Sequence, residues 1–373
     1  MIVISLLFFI YLITIAIFTN AFDKVSDFKK NNLTASTLFS VVIPFRNEAK
    51  NLPSLLDSIA TLNYSTELVE FIFVDDDSDD NSAHIVNTFI RNSIHQINLI
   101  PNVIKSNSPK KDAISLAIQH SKNDWVLTTD ADCILPSNWL LDFDNFIQQK
   151  NSNMVVGPVI YTSKKSPLHQ FQLLDFLSLQ ASTISGFGLK KPFLCNGANL
   201  AYRKDTFIAL EGFKNNNSIA SGDDIFLLEK FLKFKKEKVH YLKSSEAIVS
   251  TKPEDTFYEL CNQRVRWASK TTSYKLAFGK LVGLIVFVGN SIFALLPFMV
   301  LTGIISSLTA LSYLLMKLFF DVLLIERSSS FFNKKISFLT YFFSAILYPY
   351  FTLYISIKAL LYKYQWKGRV FKK

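Results

Sequence analysis

The sequence predicts an alternating α/β domain carried by membrane-spanning helices. Three observations lead there. Of 373 residues, 49% are hydrophobic and only 19% charged, where a soluble domain averages about 25% charged. The longest apolar runs lie at the two ends of the chain. Between them, short apolar runs alternate with helix-period patterns, as in a mostly parallel sheet with helices on both faces. The composition excludes disorder, collagen and coiled coil. The net charge of +10, 40 Lys+Arg against 30 Asp+Glu, suits nucleic acid or anionic lipid in general. With this much apolar sequence, the expected partner is lipid and not nucleic acid. Cys133, Cys195 and Cys261 are too scattered for a disulfide framework or a zinc site and suit a reducing compartment.

Residues 1–20 read as an uncleaved anchor. Ile2 to Phe18 is apolar apart from Ser5 and Thr14, about the minimum for a spanning helix, and lacks the basic start of a signal peptide. Lys24, Lys29 and Lys30 follow it, so the charge rule puts the N-terminus outside and residues 37–275 in the cytoplasm. The second membrane region, residues 281–358, begins with Leu281 to Ile325, long enough for two helices broken near Gly303, Ser306 and Ser307. Lys317 and Asp321, four apart, can pair on one helix face, either at a helix end or as a polar spot facing an acceptor lipid. A third run, Ile336 to Ile357, contains Pro349. The tail, residues 359–373, is basic through Lys363, Lys367, Arg369, Lys372 and Lys373, just after Lys358. Three full spans place this tail outside, whereas the charge rule wants it inside. Either one C-terminal segment is re-entrant or interfacial, broken at Pro349, or the rule fails for this chain.

In the middle region the expected strands are Phe39–Pro44, Val69–Val74, Gln96–Ile100, Trp125–Thr129 and Met154–Ile160. The expected helices are Leu52–Leu62, Ser82–Arg91, Lys111–His120 and Trp139–Gln148. Ligands of such sheets lie at the carboxyl ends of the strands. The first strand runs into Pro44-Phe45-Arg46-Asn47-Glu48, the second into Asp75 to Asp80, and the fourth into Asp130-Ala131-Asp132. An acidic run alone is often a solvated loop. Asp130 and Asp132 are different, because residues two apart in extended backbone point the same way. Two hard oxygen ligands with open positions are what Mg²⁺ or Mn²⁺ favours.

These segments together resemble the family 2 glycosyltransferases, inverting enzymes that use nucleotide sugars and have the GT-A fold, a Rossmann-like α/β domain. The likeness extends over about Phe39 to Lys270. Pro109-Lys110-Lys111-Asp112-Ala113 stands where the family has a Gly-Lys-x-x-Ala segment. Asn196 to Arg203 is similar to its acceptor-side strand, and Ser221-Gly222-Asp223-Asp224 to its base motif. Gln263-Arg264-Val265-Arg266-Trp267 resembles the Q-x-x-R-W signature of membrane-embedded members. Trp366-Lys367-Gly368-Arg369 is similar to a stretch that follows the last span, on the cytoplasmic side, in several lipid-modifying members.

The resemblance implies roles. Asp76, with Pro44, Asn47 and Glu48, would bind the donor nucleoside. Asp132, assisted by Asp130, would hold a divalent cation, Mn²⁺ or Mg²⁺, which neutralises the departing diphosphate; Lys110 would add a cation there. Asp224 would be the general base for the acceptor hydroxyl. The adjoining Asp223 is expected to raise its pKa. A helix N-cap is an equally physical use of Asp224. Gln263, Arg266 and Trp267 would face acceptor and diphosphate, although Trp267 also suits a membrane anchor. Two stretches, near 168–185 and 255–270, are expected to lie at the membrane interface, the first with packing against the sheet as its alternative.

The reading is therefore a metal-dependent hexosyl- or N-acetylhexosaminyltransferase, integral to a bacterial-type inner or plasma membrane, with its catalytic domain cytoplasmic. It moves sugar from a UDP-sugar to a lipid or lipid-linked saccharide. The alternatives are a processive polysaccharide synthase and an inactive scaffold in an envelope assembly complex. No H-E-x-x-H, G-x-S-x-G or Walker motif is present.

Overall fold

The computed structural model describes residues 2–31, 33–162, 166–217, 219–362, 364–367 and 369–371. Lys363, Gly368, Lys372 and Lys373 of the expected basic tail lie outside the described residues, as does the side chain of Trp366. The chain opens with helix α1 (Ile2–Asp23), apolar throughout. An alternating series follows: β1 (Phe39–Phe45), α2 (Leu52–Ala60), β2 (Val69–Asp75), α3 (Ser82–Asn92), β3 (Gln96–Pro101), α4 (Pro109–His120), β4 (Trp125–Thr128) and α5 (Trp139–Gln149). Every expected strand and helix of this series is present. The central strands read as continuous apolar runs because they are buried on both faces. Val41, Ile43, Phe71 and Phe73 enter one core, and Val42, Ile72 and Val74 the other, as a period of two requires.

Beyond α5 come β5 (Met154–Val156), β6 (Val159–Tyr161), α6 (Pro167–Gly188), β7 (Leu200–Arg203), α7 (Lys204–Ala209), α8 (Asp223–Lys235), β8 (Val239–Tyr241), β9 (Val249–Thr251) and α9 (Phe257–Ser269). The main sheet runs β3-β2-β1-β4-β7-β5-β8, with β7 antiparallel to both neighbours, so the sheet is mixed. The single strand expected over Met154–Ile160 is two. Its break falls at Gly157-Pro158, where a Cβ on Gly157 would lie 2.4 Å from the Asn199 side chain. Pro158 has no N–H for a ladder. β6 consequently leaves the main sheet and pairs with β9.

α10 (Ala277–Leu301), α11 (Ser307–Phe331) and α12 (Phe338–Leu361) complete the helical layer, followed by a hairpin of β10 (Tyr364–Trp366) and β11 (Arg369–Phe371). By length and composition four helices, α1, α10, α11 and α12, are suited to crossing a membrane. The break between α10 and α11 falls where Gly303 takes φ +70°, a left-handed turn that glycine adopts without Cβ strain. α12 is not broken at Pro349 and runs through it as one helix.

α1 lies along α6 so closely that a Cβ on Gly188 would stand 1.9 Å from the Ala21 carbonyl oxygen. Ser185 Oγ donates to Phe18 O at 2.7 Å nearby. Of the two positions expected for the 168–185 stretch, α6 takes packing within the protein, and its polar residues His169, Gln172, Asp175 and Gln180 are all buried. They point into the protein, between the sheet and the other helices. At the far end of the bundle Phe8 stacks on Tyr313, with ring centroids 4.4 Å apart. At the near end Arg327 of α11 pairs with Asp23 at 3.0 Å, and Phe332 enters the sheet core.

Candidate active site

The carboxyl ends of β1 and β2 are stitched together by their own polar residues. Asn47, with φ +53°, accepts from Asp79 N at 2.8 Å and its N–H donates to Ser78 Oγ. Arg46 donates to the Asp76 carbonyl at 2.7 Å, and Glu48 N to Ser82 Oγ at 2.8 Å. The acidic run divides accordingly. The side chains of Asp77 and Asp79 are exposed, whereas Asp76 is 4% exposed and accepts from Asn102 Nδ2 at 2.7 Å.

A cavity of about 410 Å³ opens beside this cluster, below the end of β4. It is lined by Lys110, Asp130, Asp132, Asp223, Asp224, Gln263, Arg266 and Trp267, so residues distant in sequence face one space. Pro44, Asn47, Glu48 and Asp76 do not line it; they form the adjoining cluster. Glu48 and Asp132 are near enough to interact electrostatically, which links the two.

Within the cavity Lys110, in the first turn of α4, bridges Asp130 at 2.6 Å and Asp223 at 3.5 Å. Burial alone would neutralise this lysine, but Asp130 and Asp223 hold its ammonium well above the ordinary value. Asp132 has the opposite problem. Burial, then repulsion from Asp130 and Glu48, pushes its carboxyl up to about 6. Asp130 has Lys110 and Glu48 has Lys367 as its counter-ion, so the unfavourable burial falls on Asp132. Among the described residues no three His, Cys, Asp or Glu side chains gather around one point. Two oxygen-donor carboxylates on a desolvated wall fit a hard divalent ion that keeps positions for phosphate and water.

Asp223 and Asp224 open α8 after Gly222, whose φ is +82°. They pass so near Gly197 that a Cβ there would sit 3.0 Å from Asp223 Oδ2. The expectation that the acid pair strengthens the base by mutual repulsion meets flanking cations instead. Lys270 Nζ lies 3.7 Å from Asp224 Oδ1. Burial opposes ionisation of Asp223, but Lys110, Lys270 and Lys111 outweigh it and hold its carboxyl below the ordinary value. Lys111 also fixes the loop before α8, donating to the carbonyls of Asn216 at 2.8 Å and Ile219 at 2.7 Å.

On the opposite wall Gln263 Nε2 donates to Glu254 Oε1 at 2.7 Å. Sequence reasoning passed over Arg264 as a spacer within its motif. It is the buried residue of the group, pairing with Asp175 at 2.7 Å and lying 4.3 Å from the Trp267 ring centroid. Trp267 is thus held over the cavity and does not serve only as a surface anchor.

Two further residues had been noted only for topology. Arg369 Nη1 reaches Asp76 Oδ2 at 2.6 Å, and Lys367 Nζ reaches Glu48 Oε1 at 2.7 Å. The C-terminal hairpin thus rests on the β1 and β2 strand ends. The W-K-G-R likeness marked this segment, but nothing in its spacing indicates which carboxylates it meets.

Comparison with known proteins bears on the family and the fold. Residues 40–210 match the model of glycosyl transferase family 2. Poly(ribitol-phosphate) beta-glucosyltransferase of Bacillus spizizenii is 31% identical over 121 residues, 32% of this chain and 18% of that protein. Undecaprenyl-phosphate 4-deoxy-4-formamido-L-arabinose transferase of Shewanella sediminis is 34% identical over 95 residues, 25% of this chain and 28% of that one. The chain therefore aligns with well under half the length of these relatives. The solved structure of the mannosyltransferase PcManGT from Pyrobaculum calidifontis, in complex with GDP-Man and Mn²⁺, superposes with a TM-score of 0.61 at 15% identity, covering 96% of this chain and 97% of that one. The mixed sheet, the strand-end carboxylates and the family match together identify residues 40–210 as a glycosyl transferase family 2 domain of the GT-A fold.

Proposed function

We propose that the chain is a membrane-bound, inverting, divalent-cation-dependent glycosyltransferase that moves a sugar from a UDP-sugar to a hydroxyl presented at the membrane by a lipid or lipid-linked saccharide. The observation that carries this is the single cavity in which Asp130 and Asp132 share space with Asp223 and Asp224. An inverting transfer needs a leaving-group site and a base around one anomeric carbon. Asp76, Asn47 and Glu48 would hold the nucleoside, with Lys110 near the phosphates. Asp132 and Asp130 would hold the cation, which when bound neutralises charge on the departing diphosphate. Asp224 takes the acceptor's proton while Lys270 and Asp223 fix its orientation. Arg266 and Trp267 cover the cavity and limit access of water.

Relatives named for poly(ribitol-phosphate) and undecaprenyl-phosphate substrates support an acceptor of the cell envelope. So do four helices of membrane-spanning length and composition. The test is UDP release by the purified protein over a panel of UDP-sugars with Mn²⁺ or Mg²⁺, and again with EDTA. Cation-dependent turnover of one donor, lost in Asp132→Asn and Asp224→Asn, is the expected result. Binding of UDP with no turnover, even with membrane lipid extract present, would favour the scaffold reading. A ladder of products would mean polymer synthesis in place of single addition.

A further inference from the structure

A second cavity, of about 110 Å³, lies inside the helical layer between α1, α6, α10, α11 and α12. At about 1.5 Å per residue, Lys317 is about 20 Å from the sheet-side end of α11 and Asn290 about 20 Å from that end of α10. A hydrocarbon core is about 30 Å thick, so this is the depth at which polar side chains are most costly. The lining is mostly apolar, yet it holds a cluster of polar side chains. Lys317, 3% exposed, pairs with Asp321. Tyr11 donates to Asp321 Oδ1 at 2.6 Å, and Lys317 Nζ to Tyr11 OH at 3.3 Å. Asn290, 1% exposed, donates its amide to Val286 O at 2.9 Å, but its Oδ1 is buried with no hydrogen-bond partner among the described residues. An unmatched buried acceptor is costly, and a polar group at this depth is a functional-site candidate. Asp175 and Tyr348 line both this cavity and the active-site cavity, so the two adjoin across α6.

We infer that this cavity receives the uncharged, hydroxyl-bearing headgroup of the acceptor lipid before it passes Asp175 and Tyr348 to reach Asp224. The inference rests on the reading of a membrane-presented acceptor and names its chemical class. The lysine and aspartate cancel each other, and the Tyr11 hydroxyl is already committed as a hydrogen-bond donor to Asp321. Of the other lining groups, Ser178, Ser182 and Tyr341 donate to backbone carbonyls and Asp175 pairs with Arg264. The buried acceptor without a partner among the described residues is Asn290 Oδ1, which attracts a hydroxyl proton and repels phosphate or carboxylate oxygens. An anionic headgroup would also bring uncompensated charge into a neutral, low-dielectric pocket.

The experiment uses the full chain in phosphatidylcholine nanodiscs and a 1,2-diacylglycerol with a diazirine close to its glycerol end. After photolysis, labelled peptides are mapped by mass spectrometry. Label is expected on the cavity-lining residues Val286, Asn290, Leu324, Tyr341 and Ala345, assigned residue by residue within the peptides. Unlabelled diacylglycerol should displace it about tenfold better than its methyl ether or phosphatidic acid, the factor one hydrogen bond provides. Asn290→Leu and Ser344→Leu, which fill the cavity from two different helices, should each cut labelling several-fold, with UDP binding by each variant as the check on folding. Label confined to lipid-facing Leu281, Leu284 and Phe298, displacement by phosphatidic acid as good as by diacylglycerol, or wild-type labelling in both variants overturns the proposal. Donor turnover on the same samples separates the two readings. If no UDP-sugar binds but the cavity is labelled, the transferase reading fails and the lipid site stands.

Discussion

Asp224 and Asp223 are adjacent in sequence and share one helix start, yet their surroundings assign them different work. Asp223 faces Lys110 and is held ionised by the surrounding ammonium groups, which makes it a poor proton acceptor and a good brace for the lysine. Asp224 faces the cavity with Lys270 at its edge. Asp224→Asn should therefore lower kcat by about 10²–10⁴-fold, the usual contribution of a general base, with little change in donor KM. Asp223→Asn should act through Lys110 and raise donor KM more than it lowers kcat. Steady-state kinetics at saturating acceptor would distinguish the two, and equal effects on kcat would sink the division of roles. A second residue-scale prediction concerns Arg369. Its guanidinium and the Asn102 amide occupy both oxygens of the Asp76 carboxylate. A nucleoside that uses Asp76 has to displace the arginine. Arg369→Ala should then tighten UDP binding several-fold, given that a hydrogen bond to a charged group is worth about 1.5–3 kcal/mol before exposure discounts it. Calorimetry with UDP alone tests this, and weaker binding would mean that Arg369 helps to hold the nucleotide.

At the scale of elements, the two edges of the main sheet carry histidines that folding keeps neutral. His95 precedes β3 and packs edge-on to Phe71, with centroids 5.4 Å apart; His240 lies in β8 and bonds Ser152 Oγ at 2.8 Å. Burial lowers the pKa of both, with Lys150 assisting at His240. A lowered histidine pKa means that the unfolded chain binds more protons between the folded value and 6.5. Stability should therefore be lost as pH falls below about 6.5. Melting in detergent at pH 7.5 and 5.5 should show a smaller loss in the His95→Gln, His240→Gln double variant than in the wild type. An equal loss would remove the histidines as the cause. The helical layer offers a sharper test at Gly188, where a Cβ meets the Ala21 carbonyl. Gly188→Ala should force α1 off α6 at a cost of about 1–3 kcal/mol. The same scale shows what the sequence could reveal. Continuous apolar strands and the D-x-D after β4 were legible because local pattern determines them. The split at Gly157-Pro158 was not, since it depends on Asn199, more than forty residues on. The inward polar face of α6 was hidden too. Gln172 is buried because it exchanges hydrogen bonds with the Glu254 backbone, and Asp175 because Arg264 meets it, partners that only tertiary packing supplies.

For the whole molecule the open question is how many times the chain crosses the membrane. With α12 counted as a third C-terminal span, the lysines after α1 and the basic tail fall on opposite sides of the membrane, against the charge rule. The contacts at its two ends offer a resolution. Before α12, Phe332 packs into the sheet core. At the C-terminal end of α12 itself, Ile355 and Ala359 pack on Cys261 and Val265 of α9, and beyond the helix Arg369 reaches Asp76. A segment whose flanks both rest on the catalytic domain enters and leaves on one face, whatever depth it attains between. α1, α10 and α11 would then be the three crossings, with the 302–306 turn opposite the domain, and the basic tail would lie with the domain as the charge rule requires. Since Cys133 and Cys261 are buried and Cys195 is partly so, single cysteines added at Ser306 and Tyr362 can be read with a membrane-impermeant maleimide, with the parent chain as the blank. In intact cells Ser306→Cys should react and Tyr362→Cys should not; in inverted vesicles the order should reverse. Reaction of Tyr362→Cys from outside would make α12 a true span, and the contacts of Lys367 and Arg369 could not then form in the membrane-bound protein.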